Sequence, residues 1–348
     1  MTKFYLFVIK KLQTVTIGAL MKVKAKQESL RLLKPFGISR GTKLSAEVIR
    51  VSISKDGVTG FGEAVPYPRY GETTANSICQ IITLPREFDR KDLVELLPAG
   101  ASRNAVDAAL WDLESKEAGI PVWTLAGFEK PVPLPMGYTV SLKDTHEMAS
   151  DAEAHSEAPL IKIKLGGGDD AQAISRIRQA APIARLIVDA NEGWGVSQFE
   201  RMIPFLVEAG VELVEQPLPS SQDHMLAGLG CPIPLCADES YEPGSSLNEL
   251  SDAYSVVNLK LDKSGGLTSA IKELKLAGEL GISVMVGCMV GSSLSMAPAF
   301  LLAQRAKYSD LDGFFHIESD TQNPMLLERG MVLAPEALWG YPTSNPGL

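Results

Sequence analysis

Two lysines and three acids, evenly spaced along the chain, are the residues most able to do chemistry. Lys164, Asp189, Glu215, Asp238 and Lys260 follow one another at separations of 25, 26, 23 and 22 residues. Each closes a short apolar run that reads as a β-strand, and helical patterns fill most of the gaps. A strand with its following helix takes about 30 residues or a little fewer. Every unit therefore delivers one polar residue at the same level. A lone strand-end acid usually caps the next helix; five polar residues in register describe a site.

Three carboxylates at one mouth repel one another, and a divalent cation removes that cost. All-oxygen ligation by Asp189, Glu215 and Asp238, with no matched His or Cys set, favours Mg²⁺, with Mn²⁺ as second choice. Six-coordinate Mg²⁺ leaves room beside three protein ligands for substrate and water. Lys164 and Lys260 then stand across a barrel of eight strands. A substrate carboxylate at the cation puts its α-carbon between them, and Lys162 with the cation stabilises an enediolate. A lysine base must lose its proton near neutral pH, so its pKa must fall from about 10.4. Two bases on opposite faces give inversion. Lys263 is a second candidate, but alternation puts Lys260 and Asp262 on one face and Lys263 on the other, which favours Lys260.

These residues need a scaffold. In Leu160-Ile161-Lys162-Ile163-Lys164-Leu165, a period of two puts both lysines on one face. Taken alone, this run also fits an edge strand with a wet lysine face. From about Pro131 the pattern alternates between strand and helix. Strands are expected at Val132–Val140, Leu160–Leu165, Leu186–Asp189, Val211–Glu215, Ile233–Ala237, Val256–Leu261, Val284–Val286 and a piece ending near Asp310. A helix is expected over Ser197–Glu208. Eight such strands favour a closed parallel barrel, whose C-terminal face carries the site. The stretch from Met21 to about Gly127 reads as α+β. Strands are expected at 21–33, 44–54 and 58–65, the last two joined by the Lys55-Asp56-Gly57 turn. A helix follows over Ser102–Lys116, with Ser102 as N-cap and Gly119 as stop. The ring-rich loop Pro66–Glu72 reads as a lid or a rigid connector.

Lys162-Ile163-Lys164, Asp189-Ala190-Asn191, Glu215-Gln216-Pro217, Ala237-Asp238-Glu239-Ser240 and Lys260 with Gly265-Gly266 together resemble the muconate-lactonising subgroup of the enolase superfamily. Such sites pair a Lys or His base with Mg²⁺. The resemblance runs from Met21 to the C-terminus. It implies an α/β fold: a modified TIM barrel of (β/α)7β type under an N-terminal α+β capping domain. The corresponding division is 21–127 for the cap, 128–315 for the barrel and 316–348 for a segment returning to the cap.

Within the subgroup the chain is most similar to the L-Ala-D/L-Glu dipeptide epimerases. Asp310-Leu311-Asp312 resembles their DxD motif, which implies that Asp310 and Asp312 hold a dipeptide ammonium. Pro66–Glu72 is similar to a cap loop of these enzymes. Arg40 matches the position expected to meet the glutamate side-chain carboxylate. Thr139, Cys288 and Val290 match substrate-lining positions. The resemblance implies one Mg²⁺ per subunit, a small dipeptide substrate and epimerisation of L-Ala-D-Glu to L-Ala-L-Glu in murein peptide recycling. Phe314-Phe315-His316-Ile317-Glu318 departs from the pattern, and the four histidines, without ligand spacing, read as incidental. An epimerase of another L-Ala-X dipeptide is the nearest alternative. An o-succinylbenzoate synthase or cycloisomerase on the same scaffold is a second, and the acids at 310 and 312 argue against it. A metal-binding protein without turnover is a third, and the lysine pair argues against that.

The totals agree with a soluble globular protein. A formal net charge of −9 with no long basic run disfavours nucleic acid and anionic membranes as partners. The cysteines Cys79, Cys231, Cys236 and Cys288 lack metal-site spacing and fit reduced thiols of the cytoplasm. No apolar run reaches transmembrane length. A homo-oligomer is expected. Residues 1–20 read as a poorly ordered extension or an upstream start, because the charge of Lys10-Lys11 follows the apolar run rather than preceding it.

Overall fold

Residues 20–38, 41–250, 252–328 and 330–348 are described by a computed structural model. A three-stranded antiparallel meander comes first: β1 (Lys22–Ile38), β2 (Gly41–Lys55) and β3 (Val58–Ala64). The β2–β3 turn is the one expected, with Asp56 and Gly57 at φ 48° and 83°, the positive values of a two-residue hairpin turn. The β1–β2 hairpin runs further than the pattern suggested. A register shift between Arg31 and Phe36 lets pairing resume to the tip.

Helix α1 (Thr74–Ile82) and the long helix α2 (Ala101–Ala118) pack on this sheet. Gly60 and Gly62 explain how closely α2 approaches. A Cβ there would lie 2.1 Å from Ala109 O and 2.2 Å from Ala105 O, so only bare backbone fits beneath the helix. Gly119 ends α2 in the left-handed region, as expected. Ser102 is not its N-cap. The cap position is Gly100, the Ala101 N–H donates to Glu72 Oε1 at 2.7 Å, and the buried Ser102 Oγ donates to Gln80. A loop acid 29 residues upstream does the capping, which no local pattern reveals.

The second sheet holds eight parallel strands in sequence order: β4 (Gly137–Val140), β5 (Leu160–Lys164), β6 (Arg185–Asp189), β7 (Val211–Glu215), β8 (Leu235–Ala237), β9 (Tyr254–Leu259), β10 (Ser283–Gly287) and β11 (Tyr308–Asp310). The end strands β11 and β4 meet, so the sheet curls into a TIM-like barrel. Helices α3 (Thr145–Ala154), α4 (Asp170–Ala180), α5 (Val196–Glu208), α6 (Leu267–Glu279) and α7 (Ser293–Ala303) form its outer layer. The connections after β7 and β8 carry only 3₁₀ turns.

Inside the barrel, strand alternation sorts side chains by height. The lowest inward layer is apolar and buried: Leu160, Ile187, Leu213, Cys236, Val256, Met285 and Tyr308. Two residues further along, five of these seven strands present a charged side chain. The chain then returns to the cap. Trp339 Nε1 donates to Ala108 O, and Gly340 N and Ser344 Oγ both donate to Asp112 Oδ1 at 3.0 Å. No helix among the described residues is long and apolar enough to cross a membrane.

Candidate active site

The edge-strand reading of Leu160–Leu165 does not hold. Lys162 and Lys164 are 1% and 8% exposed on a strand buried along its whole length. Alternation points both inward, above Leu160. Around the barrel at this height stand Asp189, Glu215, Asp238, Asn258 and Asp310, each two residues past a floor side chain. The parallel register sets Lys164 opposite Asp189 and Asp189 opposite Glu215. Gly287 belongs to this layer for a steric reason: a Cβ there would lie 2.6 Å from Asn258 Oδ1. Asn258 uses that space to donate to Glu215 Oε1 at 2.7 Å.

The acids and lysines form two connected groups. Lys164 Nζ donates to Asp189 Oδ2 at 2.5 Å. Lys162 Nζ lies 3.2 Å from the same oxygen, donates to Asp310 Oδ2 at 2.7 Å, and stands 2.6 Å from Glu215 Oε2 without hydrogen-bond alignment. On the other side Lys260 Nζ donates to Asp238 Oδ2 at 2.6 Å, and Lys263 Nζ to Asp238 Oδ1 at 2.8 Å.

The alternation argument for Lys263 fails because the strand ends at Leu259. Leu261–Ser264 is a single helical turn with Lys260 as its N-cap, so residues three apart share a side. Both lysines therefore grip one carboxylate, while Asp262 turns toward the cap. It accepts from Val65 N and Asn104 Nδ2, each at 3.0 Å. Arg103 of α2 secures the same turn by donating to Ser264 O and Gly265 O. A Cβ on Gly265 or Gly266 would collide with Arg103 or Asp107, so the glycine pair lets α2 lie against this turn.

Burial raises the carboxylates, and the lysines decide how far. Glu215 is pushed up to about 7, by burial first and next by Asp189. Asp189, equally buried, falls to about 2 because Lys164 and Lys162 outweigh burial. Asp238 is held well below the usual carboxylate range by Lys260 and Lys263 against the same penalty. Burial would depress Lys260 and Lys162, but Asp238 in one case and Asp310, Glu215 and Asp189 in the other hold them well above their ordinary value. The acids beside them thus keep the Lys260 and Lys162 ammonium groups charged.

Among the described residues no three His, Cys, Asp or Glu side chains stand in a metal-holding arrangement, since lysines take the carboxylate oxygens. The donor set nevertheless suits a hard divalent cation in kind. Three fully buried carboxylates come from neighbouring strands, and each raises or is raised by another. The lysines supply the positive charge that such a cation would bring.

Cap and barrel together enclose a cavity of about 600 Å³, lined by Lys162, Lys164, Lys260, Asp310 and Asp312 from the barrel and by Phe36, Lys43 and Tyr70 from the cap. Thr139, Cys288 and Val290 line it too, and Thr139 N donates to Asp312 Oδ2 at 2.8 Å. Arg40 lies outside the described residues. The 66–72 loop roofs the cavity. Arg69 pairs with Glu192 at 2.7 Å, Glu72 Oε2 accepts from Tyr67 N, and the half-buried Tyr70 is raised by burial and by Asp238. A buried clamp ties the cap to the barrel loop behind Val290. Arg50 donates to Glu63 Oε2 at 2.7 Å, and Glu63 accepts from Ser292 N and Oγ.

Two contributors escaped the sequence reading. Lys43 offers a cation from the cap, its Nζ 4.6 Å from the Tyr67 ring centroid. His316, taken as incidental, places Nε2 3.1 Å from Asp312 Oδ2. The signal for it was present, since four residues separate them.

Known proteins share this plan. The N-terminal domain model of mandelate racemase / muconate lactonizing enzyme matches residues 21–127, and the enolase C-terminal domain-like model matches residues 146–341. An N-acetyl-D-glutamate racemase from Pseudoalteromonas sp. is 40% identical over 300 residues, 84% of this chain and 95% of that protein. An L-Ala-D/L-Glu epimerase from Escherichia coli (strain K12) is 39% identical over 297 residues, 84% of this chain and 92% of that protein. The crystal structure of an enolase family member from Agrobacterium tumefaciens, with homology to dipeptide epimerases and with bound sodium and L-Ala-L-Glu, is 41% identical. It superposes with a TM-score of 0.88, covering 92% of this chain and 100% of that one. The chain therefore belongs to the mandelate racemase / muconate lactonizing enzyme family of the enolase superfamily.

Proposed function

We propose that this enzyme is a dipeptide epimerase that inverts the α-carbon of the second residue of L-Ala-D-Glu by 1,1-proton transfer. One observation carries the reading. Lys164 closes β5 and Lys260 directly follows β9, four places away in a barrel of eight, and both line one cavity, so a substrate between them meets an amine on each face. Nζ of one lysine removes the α-proton, and Nζ of the other returns a proton to the opposite face. Lys162, held charged by its three acids, faces the negative charge that develops on the substrate carboxylate.

Asp189, Glu215 and Asp238 would hold Mg²⁺. That cation, when bound, would take up their charge and polarise the substrate carboxylate. Buried Asp310 and Asp312 suit the substrate ammonium; Oδ1 of Asp310 has no hydrogen-bond partner among the described residues. Lys43, across the cavity, suits the carboxylate of a glutamate side chain. The E. coli and A. tumefaciens relatives support the dipeptide. The Pseudoalteromonas relative raises a second substrate, an N-acylated glutamate, but two acids would then face no ammonium. A cytoplasmic role in murein peptide recycling follows from the dipeptide.

The test is a set of L-Ala-X dipeptides and N-acetylglutamate incubated in D₂O. Deuterium should enter the second α-carbon of L-Ala-D-Glu and L-Ala-L-Glu fastest. Exchange confined to N-acetylglutamate would replace the reading with the second one.

A further inference from the structure

His316 departs from the family pattern noted in the sequence, and the structure gives it three neighbours. Its Nε2 bonds Asp312 Oδ2, the oxygen that also accepts from Thr139 N. Its ring meets Phe36 of β1 edge-on, with centroids 4.9 Å apart. The chain immediately after it pairs with the cap, through a bridge between Leu32 and Ile317 and through Glu318 N donating to Arg31 O. The imidazole thus sits between the acid at the cavity wall and the cap strand that roofs it, with only 16% of its side chain exposed.

We propose that His316 is a positioning residue that sets substrate preference: it fixes one oxygen of Asp312, and its charge decides how strongly the Asp310–Asp312 pair attracts a substrate's terminal ammonium. Neutral His316 leaves the Asp312 charge for the ligand. Protonated His316 cancels that charge and repels the ammonium. A free dipeptide is therefore favoured above the histidine's midpoint, and an N-acylated amino acid loses nothing below it. The charged groups that face the ring are Asp312 on its own turn, Asp310 at the end of β11 and Asp151 of α3, with the Tyr138 hydroxyl of β4 bonded to Asp151. Phe36 from β1 adds no charge. Burial lowers the His316 pKa, Asp312 raises it, and the acids prevail. Binding of an ammonium should push it back down by reciprocal linkage.

The inference rests on the dipeptide reading, and its test separates the two. Imidazole NMR on the full chain follows four histidines, and His316→Gln assigns the relevant signal. That signal should titrate above the ordinary value of about 6.5. It should return toward that value in Asp312→Asn, and move to lower pH with L-Ala-L-Glu but not with N-acetyl-L-glutamate. In steady state, KM for the dipeptide should rise about fivefold as pH falls through the midpoint. His316→Gln should flatten that step and change kcat less than KM. A dipeptide that exchanges its α-proton without moving the His316 midpoint overturns the inference alone. A pH step in KM that survives in His316→Gln does the same. Absence of exchange with every dipeptide overturns the parent reading and the inference with it.

Discussion

The barrel interior contains two layers, one residue pair apart, that obey opposite rules. The floor, from Leu160 round to Tyr308, is apolar and close-packed. The mouth, from Lys162 round to Asp310, is almost wholly ionic and equally shielded from water. Both come from the same alternation on the same strands. The floor holds the strands at the spacing that lets five charged groups share one buried volume. The mouth is stable only because every acid there has a cation against it. Buried ion pairs contribute little net stability compared with apolar packing, so the charged layer is where the fold gives up stability for chemistry.

The sharpest way to break the mouth is to remove one amine. Lys164→Ala and Lys260→Ala should each lower kcat by about 10³-fold, and each should abolish solvent deuterium exchange from one epimer only. A variant that keeps exchange from both epimers would refute the two-base assignment. Chelation with EDTA should stop turnover and restoration of Mg²⁺ should recover it; full activity without metal would remove the role given to the three acids.

The floor should answer differently. Leu213→Ala, at a fully buried site, should cost about 2–5 kcal/mol of stability, seen as a lower denaturant midpoint, while the molecules that remain folded keep their kcat. Lys43→Met belongs to the rim. It should raise KM for acidic second residues about tenfold, close to 1.4 kcal/mol, with little change for L-Ala-L-Ala. The last effect lies beneath the 66–72 segment. Burial raises Asp262 to about 7, so the folded state binds its proton more tightly than the unfolded chain does. Wild-type stability should therefore fall as pH climbs from about 4 through 7. Asp262→Asn, which keeps the acceptor for Val65 and Asn104, should lessen that fall in melting curves at pH 5 and 8.

The two layers were also unequally legible. Alternation placed Lys162, Lys164 and the strand-end acids correctly, since inward residues two apart must stack. It failed at Lys263, because a strand rule was carried past Leu259 into a helical turn. It failed at Ser102, where the cap arrives from Glu72 through the fold. Lys43 lay on a hairpin whose extent depends on a register shift that composition does not announce. His316 was overlooked because its partner was judged as a substrate contact and not as a neighbour four residues away.

The tail that binds α2 through Trp339, Gly340 and Ser344 has a mechanical consequence. The cap is tethered by peptide linkage where it enters the barrel and again, by this seal, at the far end of the polypeptide. A body pinned at two separate points cannot swing as a door. Clipping the last ten residues removes this seal but leaves the Arg50–Glu63–Ser292 clamp and the Asp262 contacts in place, and should be felt first as a lower melting temperature.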